Sequence, residues 1–247
     1  MAVDIKRPPF VQEVSFIDIR IDSLHTGAQQ AKGTVVLIDV FRAFTTAAIA
    51  FRRGAEKIIM TAEPEEALKL REEGIGELCA GEVGGKRPPG FDFGNSPFEL
   101  SQAEVRGKTL IQSTRAGTVG VTLVQACEAI YLASLVNTMA TAETILTNKP
   151  SLVTIVALGQ DGLIRTDEDE MCALYLRNLL QGRKPDYAAI RSLVLTGAEA
   201  TKYANPELPY FHPEDLVLAL KIDSIDFAIQ VKNEDGLLVT RPQPSLK

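Results

Sequence analysis

Short apolar runs alternate with helical segments at least five times along this chain, and that alternation limits what it can fold into. Thr34-Val-Val-Leu-Ile-Asp39 is apolar and β-branched until its last residue, as a strand covered on both faces would be. Residues 41–53 follow with alanines and helical spacing, and Gly54 stops them. Residues 57–60 read as a second buried strand, 65–73 as a helix opened by Pro64, and 77–80 as a third strand. A short helix over 97–104, a strand over 109–113, a turn over 114–117, a helix over 118–126 and a strand over 129–133 come next. Residues 137–147 read as a helix capped by Asn137, 152–158 as the clearest strand and 167–180 as a helix ended by Gly182. Repeated strand and helix predict parallel βαβ units, hence a three-layer α/β/α fold with a mostly parallel sheet.

Both ends of the chain break the pattern. Residues 15–21 alternate polar and apolar like an edge strand, and 25–32 read as a polar loop. Residues 198–213 carry prolines and aromatics, and 225–239 suggest two strands around Asp235-Gly236, a hairpin signal. The chain reads as one α/β domain over 1–247, with room for a small C-terminal subdomain from about 198.

Between the third strand and the next helix lies Gly81-Glu-Val-Gly-Gly-Lys-Arg-Pro-Pro-Gly-Phe-Asp-Phe-Gly-Asn-Ser-Pro97. So much Gly and Pro excludes a regular element, while Phe91 and Phe93 call for burial. An irregular, partly buried loop with ionisable groups is the usual setting of a site.

Composition narrows the chemistry. A net charge of −6 argues against non-specific nucleic-acid binding. No apolar stretch is long enough to span a membrane, and residues 1–10 lack the apolar core of a secretory signal. The three cysteines, Cys79, Cys127 and Cys172, fit neither a zinc spacing nor a disulfide framework and read as reduced thiols of a cytoplasmic protein. With only His25 and His212, acid–base work falls to carboxylates or a metal-bound water.

In open α/β sheets, ligands bind beyond the carboxyl ends of the strands. The residues just after the strands are Asp39 and Arg42; Glu82, Asp92, Asn95 and Ser96; Thr114, Arg115, Gly117 and Thr118; and Gln160, Asp161, Arg165 and Glu168. A parallel sheet would gather them on one edge. Thr114-Arg-Ala-Gly-Thr118, between strand and helix, suits an anion such as phosphate, or is an ordinary helix cap. Asp39 ends an apolar strand and calls for a divalent metal, for Arg42, or for a capping role. Arg42 can grip a phosphate with two donors or neutralise Asp39. Asp167-Glu-Asp-Glu170 reads as a solvated complement to the helix dipole, or, since at most two of the four can face one way, as a pair at the sheet edge that holds magnesium directly or through water. No P-loop and no dinucleotide fingerprint follows any strand, so ATP and NAD are not indicated.

Taken together, Val36-Leu-Ile-Asp-Val-Phe-Arg-Ala-Phe-Thr-Thr46, Gly81-Glu-Val-Gly-Gly85, Gly90-Phe-Asp-Phe-Gly-Asn-Ser-Pro97 and Ser113-Thr-Arg-Ala-Gly-Thr118 resemble the 2-phosphosulfolactate phosphatase (ComB-like) family. The turn departs from the family's usual Thr-Thr-Asn-Gly-Thr by one extra residue, and Phe41 and Phe44 replace smaller or aliphatic residues. The resemblance implies a magnesium-dependent phosphatase that hydrolyses 2-phosphosulfolactate to sulfolactate, a step in coenzyme M biosynthesis, or phosphates of related 2-hydroxy acids. It carries Asp39, Arg42 and Glu82 over as catalytic candidates and Asp39, Glu82 and Asp92 as metal ligands, to which the acidic run at 167–170 adds Glu168. Phosphate binding would fall to Arg42, Asn95, Ser96, Thr114, Arg115, Gly117 and Thr118. A second basic group, among Lys86, Arg87, Arg115 and Arg165, is expected to meet the substrate's carboxylate or sulfonate. A homodimer is a compatible assembly. The competing class is a non-enzymatic binding protein for an anionic phosphorylated metabolite.

Overall fold

In the computed structural model, which describes residues 17–244, the run Thr34–Ile38 is a strand buried at every position. Val35 and Leu37 pack into one core cluster and Val36 and Ile38 into another, so both faces of this strand are covered. An apolar run without alternation suits that position alone. Nine strands occur among the described residues. They are β1 (Asp18–Ser23), β2 (Thr34–Ile38), β3 (Lys57–Thr61), β4 (Leu78–Gly81), β5 (Thr109–Ser113), β6 (Ala129–Ala133), β7 (Leu152–Ala157), β8 (Phe227–Glu234) and β9 (Leu237–Pro244). They form one sheet in the order β1-β7-β2-β6-β8-β9-β3-β5-β4.

Helices cover both faces. On one side lie α1 (Leu24–Gln30), α2 (Ala43–Arg52), α4 (Pro97–Gln102) and α5 (Gly117–Leu123). On the other lie α6 (Thr138–Asn148), α7 (Asp167–Leu180), α8 (Tyr187–Thr196) and α9 (Pro213–Ala219), with α3 (Pro64–Glu72) behind β3, β4 and β5. The fold is α/β with a large, mostly parallel sheet between helices: of the eight strand pairings, five are parallel. Among the described residues, no helix is long and apolar enough to cross a membrane.

The hairpin around Asp235-Gly236 forms as expected, with positive φ at both turn residues. Its location is the surprise. β8 and β9 sit in the middle of the sheet, antiparallel to β6 on one side and to β3 on the other. Three successive reversals leave the block β1-β7-β2-β6 opposed in direction to the block β3-β5-β4. The strand ends nevertheless meet, because Gly117 after β5 lies against Asp39 after β2. Residues of β2, β3 and β5 on this face share one core cluster with α2 and α5, the helices that start beside Asp39 and at Gly117.

Three local expectations need correction. Residues expected as a polar loop after β1 form α1. Its buried residues are Gly27 and Ala28, too small to print a helical period on the sequence. The helix expected to run to residue 126 stops at Leu123. In the tail, α8 and α9 were not anticipated; Asp186 caps α8 by accepting from the Ala188 and Ala189 N–H groups, and Pro213 opens α9. The edge strand is present as β1, while residues 15 and 16, like the N-terminal segment tested for a signal, lie outside the described residues. Cys79 and Cys172 are buried, and burial pushes the Cys79 thiol up to about 11 and Cys172 higher still, so both stay neutral.

Candidate active site

Asp39 continues the β2–β6 ladder with its backbone and turns its side chain into the start of α2, where Oδ1 accepts from the Ala43 N–H at 2.9 Å. Its other oxygen faces Gly117. A Cβ there would lie 2.9 Å from Asp39 Oδ2 and 2.6 Å from the Ala43 Cβ, so glycine is required. Asp39 is buried, and burial is the main cause that lifts its pKa to about 7; the Glu82 charge adds to the rise, while the Ala43 hydrogen bond and Arg42 oppose it.

Arg42 is also buried. Its Nη1 donates to Asp215 Oδ2 and to the Tyr210 carbonyl, each at 2.8 Å, and Nη2 reaches the Gly85 carbonyl at 3.4 Å. The Phe211 ring lies 4.5 Å from the guanidinium carbon. The ion-pair partner of Arg42 is therefore Asp215 of α9, not Asp39. Asp215 Oδ1 accepts from Ser96 Oγ at 2.7 Å and from the Phe98 N–H at 2.8 Å. One buried carboxylate thus joins the β2 loop, the glycine-rich loop and α9.

Within the glycine-rich loop, Glu82 works as a staple. Oε2 accepts from the Gly85 N–H at 2.7 Å and Oε1 from the Arg115 N–H at 2.8 Å. Asn95 is buried on the cavity wall, and its side-chain oxygen has no protein partner. Ser96 caps α4 through Glu99. Asp92 does not line the cavity; it accepts from the Cys79 N–H at 2.8 Å and pairs with Arg71 at 3.0 Å.

The turn after β5 is largely self-satisfied. Thr114 and Thr118 exchange backbone-to-hydroxyl bonds of 2.7 and 3.0 Å. The Arg115 N–H is held by Glu82, and its guanidinium reaches Glu63 at 3.5 Å. The Ala116 and Gly117 N–H groups have no protein acceptor among the described residues, and Ala116 faces the cavity.

At the start of α7 the four acidic residues divide. Asp167 is exposed and Glu170 pairs with Arg165 at 3.0 Å, whereas Glu168 and Asp169 are buried toward the cavity. Asp169 accepts from the Val40 N–H at 2.7 Å and the Gly159 N–H at 2.8 Å, tying the loop after β2 to the loop after β7. Burial first, then Glu168 and Asp39, raise its pKa well above the carboxylate range. Burial also lifts Glu168 to about 7, with Glu199 and Asp39 adding to the rise.

These loops enclose a cavity of about 250 Å³. The remaining wall comes from the 3-10 segment Glu199–Ala204 and from Leu208, Tyr210 and Phe211, none of which sequence reasoning singled out. Of the basic residues expected to meet the substrate's carboxylate or sulfonate (Lys86, Arg87, Arg115 and Arg165), none lines the cavity; Lys202 does, with Nζ 2.6 Å from Glu199 Oε2. Six carboxylates line the space (Asp39, Glu82, Asp161, Glu168, Asp169 and Glu199) against two cations, Arg42 and Lys202.

A magnesium ion suits part of this set. Among the described residues, no three His, Cys, Asp or Glu side chains are already grouped as a metal cage. Glu82 and Asp169 have both oxygens committed to backbone N–H groups. Asp39 Oδ2 accepts no hydrogen bond among the described residues, and the Asp39 charge is close enough to Glu168 to help raise its pKa. Two carboxylates completed by water and substrate phosphate are a usual magnesium environment.

The sequence profile of the family described as 2-phosphosulpholactate phosphatase matches residues 20–208. Three relatives carry the name "Probable 2-phosphosulfolactate phosphatase". The protein of Deinococcus radiodurans is 39% identical over 134 residues, covering 54% of this chain and 56% of its own. That of Prochlorococcus marinus is 35% identical, covering 68% of this chain and 69% of its own. That of Bacillus subtilis is 30% identical over 208 residues, covering 83% of this chain and 89% of its own.

Proposed function

The chain belongs to the 2-phosphosulpholactate phosphatase family, a family of phosphoric monoester hydrolases, and from that premise we propose that it is a magnesium-dependent enzyme. It hydrolyses 2-phosphosulfolactate, or the 2-phosphate of a closely related hydroxy acid, to the hydroxy acid and inorganic phosphate. The observation that carries this reading is the acidity of the cavity wall. Asp39, Glu168 and Asp169 are buried together, and burial without a cation holds them partly or wholly protonated; a divalent cation would let them ionise and would meet the negative charge of a phosphate ester beside them.

Asp39 and Glu168 are the residues that would hold the cation. When bound, magnesium supplies positive charge to the phosphate oxygens. The chain supplies the rest. Arg42, fixed by Asp215, keeps a positive charge at the wall where the phosphoryl oxygens gain charge. The Ala116 and Gly117 N–H groups, which have no protein acceptor among the described residues, offer fixed donors in the turn that packs Gly117 against Asp39. Asn95 presents an amide oxygen that can accept a hydrogen bond from the attacking water and so orient it. Glu82 and Asp169 hold the loops in register rather than taking part in bond making.

A substrate panel tests the proposal. The kcat/KM for 2-phosphosulfolactate should exceed that for phospholactate and phosphoglycolate, and all three should exceed a bulky aryl phosphate that cannot use the small cavity. An aryl phosphate preferred over all three acids would rule out this substrate class.

A further inference from the structure

Resting on the phosphatase reading, we propose that Lys202 is a specificity-determining residue. Its ammonium binds the acid group, carboxylate or sulfonate, that flanks the phosphate of the substrate. The argument begins with the two cations of the cavity. Arg42 is committed, since its guanidinium nitrogens already donate to Asp215, the Tyr210 carbonyl and the Gly85 carbonyl. A guanidinium held by three acceptors keeps its charge but has little freedom to follow a ligand.

Lys202 differs in each respect. Its side chain is 27% exposed, so it reaches solvent within the cavity. One donor goes to Glu199 at 2.6 Å, and the contact with Gln160 Oε1 is long, at 3.5 Å. An ammonium has three donors, so at least one remains for a ligand. Lys202 and Arg42 both line the cavity and both approach the Phe211 ring, at 5.9 and 4.5 Å, so one small substrate can meet the two cations, with its phosphate toward Arg42 and its flanking acid group at the ammonium that still has a donor to offer.

Binding of products separates this role from the chemistry. The affinities of sulfolactate and of inorganic phosphate are measured by titration calorimetry for wild type, Lys202→Met, Lys202→Arg and Glu199→Gln in magnesium buffer. Loss of one charge-assisted hydrogen bond predicts that Lys202→Met weakens sulfolactate by roughly 10–100-fold relative to its effect on phosphate. Lys202→Arg should restore most of that loss. Glu199→Gln frees the ammonium and should tighten sulfolactate binding, which keeps the test valid if Lys202→Met does not fold. Equal weakening of both ligands, no weakening of either, or looser sulfolactate binding in Glu199→Gln overturns the assignment. A wild-type protein that binds sulfolactate yet releases no phosphate from 2-phosphosulfolactate would refute the phosphatase reading instead, and Lys202 would still be judged by the binding data.

Discussion

Arg42 and Asp215 meet at 2.8 Å with both side chains almost wholly removed from water. They are 173 residues apart in sequence, and the same carboxylate accepts from Ser96 and the Phe98 N–H. Removing one member of such a pair leaves the other charge buried without compensation. Asp215→Asn keeps the shape and the acceptor for Ser96, but it should lower stability by about 3–5 kcal/mol. Because Arg42 is then free to move, kcat should fall more than KM rises. Denaturant unfolding together with steady-state kinetics checks both parts.

Asp39→Asn should abolish most turnover and leave the fold intact. The amide oxygen can still accept from the Ala43 N–H, but the charge that would hold a cation is gone. Phosphate release and circular dichroism of the variant are the measurements. Near-normal turnover would reduce Asp39 to a helix cap.

The raised pKa values of Asp39 and Glu168, both about 7, imply a pH dependence with a definite sign. The folded, metal-free protein holds more protons than the unfolded chain between the ordinary values of 3.8 and 4.5 and about 7. Its stability should therefore fall as pH rises through that window, with the full penalty present above it. Magnesium should raise the melting temperature more at pH 8 than at pH 5.5, since a cation binds the ionised carboxylates. Thermal melts with and without magnesium at the two pH values decide the matter; a larger magnesium effect at pH 5.5 would contradict it.

Gly117→Ala introduces a methyl group 2.6 Å from the Ala43 Cβ and 2.9 Å from Asp39 Oδ2. The overpacking should cost about 1–3 kcal/mol. It should also displace Asp39, so activity should drop even at temperatures where the variant is fully folded. Chemical denaturation and initial rates compared at one low temperature separate the two effects.

Much of this site is legible in the sequence because it lies just after strands. Asp39, Glu82 and Asn95 each follow an apolar run, and the rule that loops after strands form sites locates them. Glu168 was legible as one of an acidic group, though which of the four turn inward depends on how α7 packs. Asp215 was hidden because α9, in whose first turn it lies, was not anticipated in the proline- and aromatic-bearing tail. Lys202, Tyr210 and Phe211 sit in a segment with no strong period, and only tertiary contact brings them to the cavity. The hairpin could be read from Asp235-Gly236, but its insertion between β6 and β3 could not, because local pattern carries no information on pairing across such distances. Convergence of the loops was expected from the parallel strands of a mostly parallel sheet; the strands that carry them instead fall into two opposed parallel blocks with the β8–β9 hairpin between.

Phosphate release from 2-phosphosulfolactate, measured in magnesium buffer, after removal of metal with EDTA and after magnesium is restored, tests the central claim most directly. The account predicts release that is lost with the metal and recovered on its return. Saturable binding with no phosphate released, or undiminished turnover by metal-free protein in EDTA, would contradict it.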